Sequence, residues 1–257
     1  MTRLVWGDTG KRFYEAGIDR GVFYTNDGVG VPWNGLVAVS EAPSGGEITE
    51  GYYDGGKFLQ QRQRESFSAT LSAYTYPREF EEYDGVIDRI YQQRRKLFHL
   101  SYRTRLNNDT ADNEAYLIHL VYNALASPSS VSYSTEGSSA GASLFKWDIQ
   151  TIPEILPSGK FSAHLVINTA IAYPWAVEAL ENLIYGSSDS MATIPSIQSI
   201  IDLFENASLL RVTDHGDGTW TADGPEEAFT FGPGGYFEIT WPSALWIDTN
   251  FYTLSSL

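Results

Sequence analysis

Apolar and polar residues alternate with a period of two in six segments of the chain, which predicts β-strands with one buried face. The first follows Trp33 and Gly35 within residues 31–43, and the second begins at Phe67. The other alternating segments lie at residues 98–103, 116–123, 145–150 and 161–168. Strands with one polar face are typical of antiparallel sheets. We therefore expect two such sheets packed face to face, as a β-sandwich or a partly closed barrel.

A helical period replaces this alternation after residue 173. Pro174 suits the first turn of a helix and Gly186 suits its C-terminal end, while Ile197, Ile200 and Phe204 share one face of a second helix. The predicted fold class is mainly β (α+β): antiparallel strands, one or two flanking α-helices and long inter-strand loops.

We expect a single domain over residues 1–257. Short aromatic pieces split by glycines predict a hairpin or an irregular arm at residues 1–30. Turn signals at Asp217-Gly218 and Gly234-Gly235 predict a region of β-hairpins at residues 208–257.

The tract at residues 44–64 is too long for a hairpin loop of about two to five residues. It carries two Gly-Gly pairs and several aromatic residues. Long loops in compact domains often carry function, so we predict a long inter-strand loop that contacts another surface. The predicted self-assembly residues are Tyr52, Tyr53, Asp54, Lys57, Phe58, Arg62 and Arg64.

The net charge of −15 is unevenly distributed. Residues 1–105 hold 14 Lys/Arg and 14 Asp/Glu, whereas residues 106–257 hold 3 and 18. A chain with one basic and one acidic region can stack head to tail with its own copies. Simple solvated surface is the alternative interpretation of the same charges.

The chain has no cysteine, which excludes disulfides, thiolate metal sites and thiol catalysis. The first residues contain no apolar core of signal-peptide length, and no window approaches the roughly 18 apolar residues of a membrane span. We therefore expect synthesis in the cytosol and no membrane segment.

Two motifs imitate catalytic loops. Residues 137–141 fit the G-x-S-x-G pattern of a hydrolase, but the strand before it and the helix after it that this chemistry requires are missing. Residues 51–57, GYYDGGK, resemble a phosphate-binding loop, yet Phe58 stands where Ser or Thr should bind magnesium. Flexible, turn-rich loops are the favoured interpretation of both.

Metal-binding patterns are weak as well. The four histidines, His99, His119, His164 and His215, have no paired ligand spacing, and a structural role is favoured for them. An acidic and amide-rich stretch at residues 107–114, which includes Asp109, is more typical of an Asx-rich turn than of a calcium loop. We expect no cofactor, no metal and no catalytic residue.

Two further interpretations remain open. The Trp and Tyr content is compatible with a carbohydrate-binding β-sandwich module of a phage tail or cell surface. The carboxylates Glu79, Glu81, Glu82 and Asp84 offer the acid pair of a glycoside hydrolase. Adjacent residues of an extended strand point to opposite faces, however, so Glu81 and Glu82 would not converge on one substrate.

The sequence resembles the major tail proteins, or tail tube proteins, of long-tailed, non-contractile (siphovirus) bacteriophages. The resemblance covers most of the chain, including the helix before Gly186. Its motifs are LVWGDTGKRFYEAGIDRGVFY (4–24), VPWNGLVAVSEAPSGGE (31–47), FSATLSAYTYPREF (67–80), KLFHLSYRTRLNNDT (96–110), GDGTWTADGP (216–225) and YFEITWPSALWID (236–248).

This resemblance implies a structural virion protein without enzymatic activity. Hexameric rings would stack into a tail tube, with the tract at residues 44–64 lent to neighbouring copies. The implied partners are further copies of the chain, a tape-measure protein in the lumen, and tail-terminator and distal-tail proteins at the two ends. Genomic DNA would pass through the tube without sequence-specific binding. An acidic lumen would suit this role because it repels phosphate.

Overall fold

The computed structural model describes residues 6–10, 12–62, 65–87, 90–91, 94–110, 115–127, 143–205, 210–214, 220–223, 229–231, 237–239, 244–247 and 250–253. Contacts divide the chain into two compact units: Met1–Ala170 with Asn182–Ile197, and Ile171–Glu181 with Gln198–Leu257. The expectation of one domain over residues 1–257 stays a prediction.

The first unit contains fourteen strands and a 3₁₀ helix at Arg78–Glu82. In chain order the strands are β1 (Phe13–Tyr24), β2 (Gly30–Pro32), β3 (Leu36–Glu41), β4 (Ile48–Tyr53), β5 (Gly56–Arg62), β6 (Ser68–Ala73), β7 (Val86–Ile87), β8 (Ile90–Tyr91), β9 (Phe98–Asn108), β10 (Tyr116–Ser127), β11 (Phe145–Thr151), β12 (Glu154–Ile155), β13 (Phe161–Ser162) and β14 (His164–Asn168).

Eight of these strands form one antiparallel sheet in the order β2-β1-β9-β10-β11-β6-β3, with β14 also paired to β10. The sheet is not a closed barrel, because β3 and β2 end the order without pairing to each other. The side chain of Tyr102 on β9 nevertheless reaches Glu41 on β3, with 2.6 Å between Oη and Oε1. The sheet therefore curves around a core, and the predicted mainly β, antiparallel, partly closed fold is confirmed.

The core inside this curve is aromatic. Phe80, carried by the 3₁₀ helix, is fully buried, and its ring centroid lies 4.8 Å from that of Trp33 and 5.4 Å from that of Trp147. Phe23 and Phe98 complete the ring cluster at 5.4 and 5.3 Å from Phe80. Edge-to-face aromatic pairs stabilise a fold by more than the burial of their surface area alone. The alternating residues of β6 point into the same core, as predicted from Phe67, Ala69, Leu71 and Ala73.

Strand β10 differs from its prediction because both of its faces are covered. Every residue from Leu117 to Tyr122 is buried. One face, with Val121, joins the aromatic core. The other face carries Tyr122, whose hydroxyl donates to the carbonyl oxygen of Pro195 at 3.0 Å. The alternation at residues 116–123 predicts that the face with His119 is exposed to solvent. In the structure this face is interior, because the sheet curves around it.

Two departures from regular alternation have backbone causes. The predicted strand at residues 31–43 is divided by a turn at Asn34-Gly35, and Val37 is exposed because a β-bulge lies between Leu36 and Ala38. Gly35 needs its φ of +89°, and a Cβ there would lie 2.4 Å from Thr75 Oγ1.

Residues 13–24, in the region predicted as a hairpin or an irregular arm, form strand β1. It pairs with β2 on one side and β9 on the other, with bulges between Ala16 and Ile18 and between Asp19 and Val22. The predicted long loop at residues 44–64 is also ordered differently: β4 and β5 pair as an antiparallel hairpin.

The two helices are α1 (Pro174–Tyr185) and α2 (Ile197–Glu205). Both agree with the sequence pattern, including Pro174 at the start of α1 and Gly186, with a φ of +81°, directly after its end. Of the apolar face predicted for α1, Leu180 is buried but Leu183 is exposed. Neither described helix is long and apolar enough to cross a membrane.

The second unit ends in six strands: β15 (Leu210–Asp214), β16 (Trp220–Asp223), β17 (Phe229–Phe231), β18 (Phe237–Ile239), β19 (Ala244–Ile247) and β20 (Asn250–Thr253). The pairs β15–β16, β17–β18 and β19–β20 are antiparallel, and β15 also pairs in parallel with β19. The predicted hairpin arms are thus present, and their turns at 217–218 and 234–235 lie outside the described residues.

Candidate functional site

The hairpin of β4 and β5 continues the pair β3–β6 beyond the edge of the main sheet. Ser44 and Ser66 close its base with two backbone hydrogen bonds, of 2.9 and 2.8 Å, and their hydroxyl oxygens lie 2.9 Å apart. We call residues 44–66 the ribbon. Its position follows from chain order, because β3 leads into β4 and β5 leads back to β6.

The tip of the ribbon is a two-residue turn at Asp54-Gly55, where φ is +50° and +75°. Positive φ at both central residues defines the type I′ turn that Asp-Gly favours in tight hairpins. The stretch 51–57 that imitates a phosphate loop is therefore the end of a β-hairpin.

One face of the ribbon is aromatic and apolar. Gly51 pairs with Leu59 and Tyr52 with Lys57, so the intervening Phe58 is an extra, bulged residue. The rings of Tyr53 and Phe58 contact each other with their centroids 5.9 Å apart. They are nonetheless 75% and 81% exposed. Exposure of this size for contacting aromatic side chains is unusual on a surface without a partner.

The other face of the ribbon is polar. The Lys57 ammonium contacts the Glu50 carboxylate, and the Tyr52 hydroxyl donates to the same carboxylate at 2.7 Å. The hydrogen bond from Lys57 lowers the pKa of Glu50 below its usual value. Tyr52 remains 68% exposed. The ribbon is therefore open to solvent on both faces.

Five of the seven predicted assembly residues are brought together on this ribbon: Tyr52, Tyr53, Asp54, Lys57 and Phe58. Arg62 ends β5, and its side chain lies outside the described part of the structure. Arg64 also lies outside the described residues. Contact of this set with another copy stays a prediction.

A second constellation, which the sequence did not predict, lies near the base of the ribbon. Glu41 at the end of β3, His119 on β10 and His164 on β14 bring one potential ligand atom each within 4.8 Å of one another. Glu41 pairs with the buried Ala69, which places it in the core-facing row of β3. His119 shares its face of β10 with Val121, the residue that pairs with His164.

Short distances connect these three residues. His119 Nδ1 lies 3.3 Å from Glu41 Oε1 and 3.3 Å from His164 Nε2. The ring of Tyr102 stacks on His119 with centroids 4.6 Å apart and an interplanar angle of 8°. The ring centroid of Phe67 lies 4.2 Å from that of His164. Each imidazole thus packs against one aromatic ring.

The surroundings set the charges of this group. A hydrogen bond from His119 lowers the pKa of Glu41 to about 2, so the carboxylate is ionised at neutral pH. Burial lowers the pKa of His164 to about 4, which makes this imidazole neutral at the same pH. A neutral imidazole beside a carboxylate is a donor set that metal ions accept.

Solvent reaches the group from one side. The His119 side chain is only 6% exposed, but that of Glu41 is 34% exposed. A cavity of about 190 Å³ adjoins His164 and is lined by Pro43, Glu65, Ser66, Phe67, Phe161, Ser162, Ala163 and His164. Its walls include the base of the ribbon.

Sequence spacing missed this group because its members are far apart in the chain. The only available signal was that His119 and His164 each occupy an alternating position of a predicted strand, and their meeting required the register of β10 with β14. Of the other histidines, His99 accepts the backbone N–H of Asn123 at its Nδ1. His215 lies outside the described residues.

Two of the carboxylates singled out in the sequence, Asp109 and Glu82, have local partners. Asp109 accepts the N–H of Gly10 at 2.7 Å and lies 3.3 Å from the Arg12 guanidinium, as an Asx-rich loop would. Glu82 binds Lys96 at 2.5 Å. Glu79, Glu81 and Glu82 lie on the 3₁₀ helix rather than on a strand, so the opposite-face argument does not apply there. The G-x-S-x-G stretch lies outside the described residues.

Trp33 is not available as a platform for a sugar ring. It is 3% exposed, and its indole N–H donates to the carbonyl oxygen of Thr75 at 2.9 Å. Trp147 is buried in the same core. Trp6 is exposed and is not part of this core cluster.

No family model matches the chain, and no curated protein matches it. Among solved structures, the chain is similar to one from the sheath–tube complex of the PVC extracellular contractile injection system, with 15% identity and a TM-score of 0.34 over 58% of this chain and 89% of that one. The sheath/tube terminator of that system is 16% identical, with a TM-score of 0.31 over 58% of this chain and 93% of that one. The tube-terminating cap of the anti-feeding prophage is 15% identical, with a TM-score of 0.31 over 66% of this chain and 97% of that one. Similarities this low establish neither the family nor the function of the chain.

Proposed function

We propose that this chain is a structural subunit of a phage tail tube, which assembles with copies of itself through the ribbon at residues 44–66. The observation that carries the proposal is the ribbon itself. It presents a contacting Tyr53–Phe58 pair, each more than 70% exposed, on a hairpin that forms its own two-stranded sheet. Isolated two-stranded hairpins are marginally stable in water, so a partner surface would stabilise this one.

A second copy of the chain is the proposed partner of the ribbon. In the described part of the ribbon, the outer edges of β4 and β5 offer backbone groups for pairing with another subunit. The excess of negative charge after residue 105 gives every copy an acidic region opposite in character to the basic stretch at residues 57–105, which holds 10 Lys/Arg and 6 Asp/Glu. Head-to-tail contacts of this kind are heterologous and can build rings or filaments.

The finer parts of the proposal come from the sequence resemblance. Hexameric rings stack into a siphovirus tail tube in the virion, after assembly in the host cytoplasm. A tape-measure protein lies in the lumen, terminator and distal-tail proteins bind the ends, and genomic DNA passes through during delivery. The chain itself performs no catalysis.

Removal of the ribbon tests the proposal. Deletion of Gly45–Gln60 joins Ser44 to Gln61, and residues 61–65 then connect the bridged pair Ser44 and Ser66. A connection of this length closes hairpins readily, so the pair β3–β6 should survive. We expect the wild-type chain to form tubes or rings of uniform diameter by negative-stain electron microscopy and sedimentation velocity. The deletion variant should remain folded but should not elongate.

Normal tubes from the deletion variant would remove the ribbon from the mechanism. Strictly monomeric wild-type protein at every concentration and salt level, also in the presence of a tail initiator complex, would overturn the tube assignment. A glycan array on that monomer would then test the carbohydrate-binding alternative.

A further inference from the structure

We propose that Glu41, His119 and His164 form a binding site for a divalent transition-metal ion, for which Zn²⁺ is the best-matched probe. The site is independent of the tube assignment, because it is built entirely within the first unit from β3, β10 and β14. Two histidines and one carboxylate are a recurrent ligand set for zinc and related ions.

The hydrogen bonds of Thr104 fix which nitrogen of His119 faces the other two residues. The Thr104 hydroxyl donates its single proton to Glu15 Oε2 at 3.1 Å. The same hydroxyl lies 3.0 Å from His119 Nε2, so Nδ1 is the ring nitrogen that faces Glu41 and His164. A histidine ligand whose second ring nitrogen is held by a hydrogen bond is typical of metal sites.

One potential ligand atom of each of the three residues faces the same small space. Glu41 Oε1 already accepts the Tyr102 hydroxyl at 2.6 Å, so the carboxylate is oriented toward the histidines. Glu41 Oε1 lies 3.3 Å from His119 Nδ1, close enough for both atoms to bind one ion.

Two of the three ligand separations match those around a tetrahedral ion. Metal–ligand bonds of about 2.0–2.1 Å place neighbouring tetrahedral ligands about 3.3 Å apart. The distances from His119 Nδ1 to Glu41 Oε1 and to His164 Nε2 are both 3.3 Å. Glu41 is partly exposed, so its side chain can adjust the third separation. Water entering from the solvent side or from the cavity beside His164 can occupy the fourth position.

A metal ion here would fasten the base of the ribbon. Among the described strands, β3 ends the sheet and its one pairing partner is β6. Coordination by Glu41 would tie the end of β3 directly to β10 and β14, three residues before the Ser44–Ser66 bridge. The inferred role is therefore structural: the ion holds the root of the ribbon against the body of the first unit.

Calorimetric titration of the full-length, chelator-treated chain with Zn²⁺ tests the site. We expect one ion per chain with a dissociation constant in the micromolar range or tighter, and a visible absorption band of tetrahedral type when Co²⁺ replaces Zn²⁺. Glu41→Gln and His164→Asn should each weaken Zn²⁺ binding by at least about tenfold. Glu47→Gln is the matched control, because it removes the same charge from an exposed neighbouring position.

Thr104→Val keeps the shape of the side chain but removes the hydroxyl that contacts His119 Nε2. Because Thr104 only positions His119, this change should weaken Zn²⁺ binding by about tenfold, whereas circular dichroism of the metal-free variant stays native. Absence of saturable binding, equal binding by Mg²⁺, or wild-type Zn²⁺ affinity in both Glu41→Gln and His164→Asn would each overturn the proposal. None of these measurements depends on assembly, so the metal-binding proposal and the tube proposal are tested independently.

Discussion

At the scale of single residues, Asp19 joins two strands through its charge. Its carboxylate pairs with Arg103 at 2.7 Å and with Arg105 at 3.3 Å, and Arg103 also lies over the Tyr116 ring at 4.2 Å. The hydrogen bond from Arg103 is the largest cause of a lowered pKa for Asp19. The folded protein therefore holds this proton less tightly than the unfolded chain does.

This difference predicts a loss of stability in acid. Because the folded pKa lies below the unfolded value of about 3.9, the contribution of Asp19 is present above that value and disappears as pH falls through the folded pKa. Asp19→Asn should lower the urea midpoint at about pH 7, and the gap to wild type should narrow toward about pH 3. The exposed Asp189→Asn serves as control, and an unchanged gap at every pH would contradict the prediction.

Residue identity was also decisive at turns. Gly55-Gly56 was one of the two Gly-Gly pairs of the tract in the sequence, yet the type I′ turn at Asp54-Gly55 emerged only when β4 and β5 paired around it. The length of the tract argued for a loop because hairpin connections are short. That argument failed since the tract contains its own strands, and only two of its residues form the connection.

At the scale of elements, the two faces of the ribbon have different expected roles. Tyr53→Ser with Phe58→Ser removes the aromatic face while the backbone pairing and the Glu50–Lys57 contact on the other face remain. These side chains contribute little to the core because they are exposed, so the unfolding free energy should change by no more than about 0.5 kcal/mol per site.

Assembly should respond much more strongly than stability. We expect the double variant to require at least about tenfold more protein before tubes appear, because interface energy concentrates in buried aromatic anchors. Phe13→Ser, which changes an exposed aromatic residue on β1, is the matched control. Sedimentation velocity over a concentration series gives the comparison, and equal thresholds for the two variants would contradict a specific role of the ribbon face.

Strand and helix positions were largely predictable. The periods of two and of 3–4 residues located β6, β9, β10, β11, α1 and α2, because the side-chain pattern follows directly from backbone geometry. Alternation alone did not reveal which face of each strand is exposed to solvent. In β10 the row with His119 faces the aromatic core, and the opposite row, with Tyr122, is covered near Pro195.

At the scale of the whole molecule, the charge asymmetry makes a prediction about salt. If the acidic and basic regions of neighbouring copies attract each other, screening should weaken assembly as NaCl rises from about 50 to about 500 mM. Light scattering and electron microscopy across this series measure the effect. Thermal unfolding in the same buffers separates lost assembly from lost folding. Assembly that strengthens with salt would indicate that apolar contacts of the ribbon dominate instead.

The mainly β class, the two helices, the absence of cysteine chemistry and the uneven charge all follow from the sequence. These depend on composition and on local period, which require no knowledge of distant neighbours. By contrast, the ribbon formed by β4 and β5 and the meeting of Glu41, His119 and His164 become visible only in the folded chain. Both depend on strand register: a shift by one residue would turn every side chain of a strand to its other face. Local period does not encode which distant strands pair, so the convergence of three ligands separated by up to 123 positions, from 41 to 164, arises only on folding.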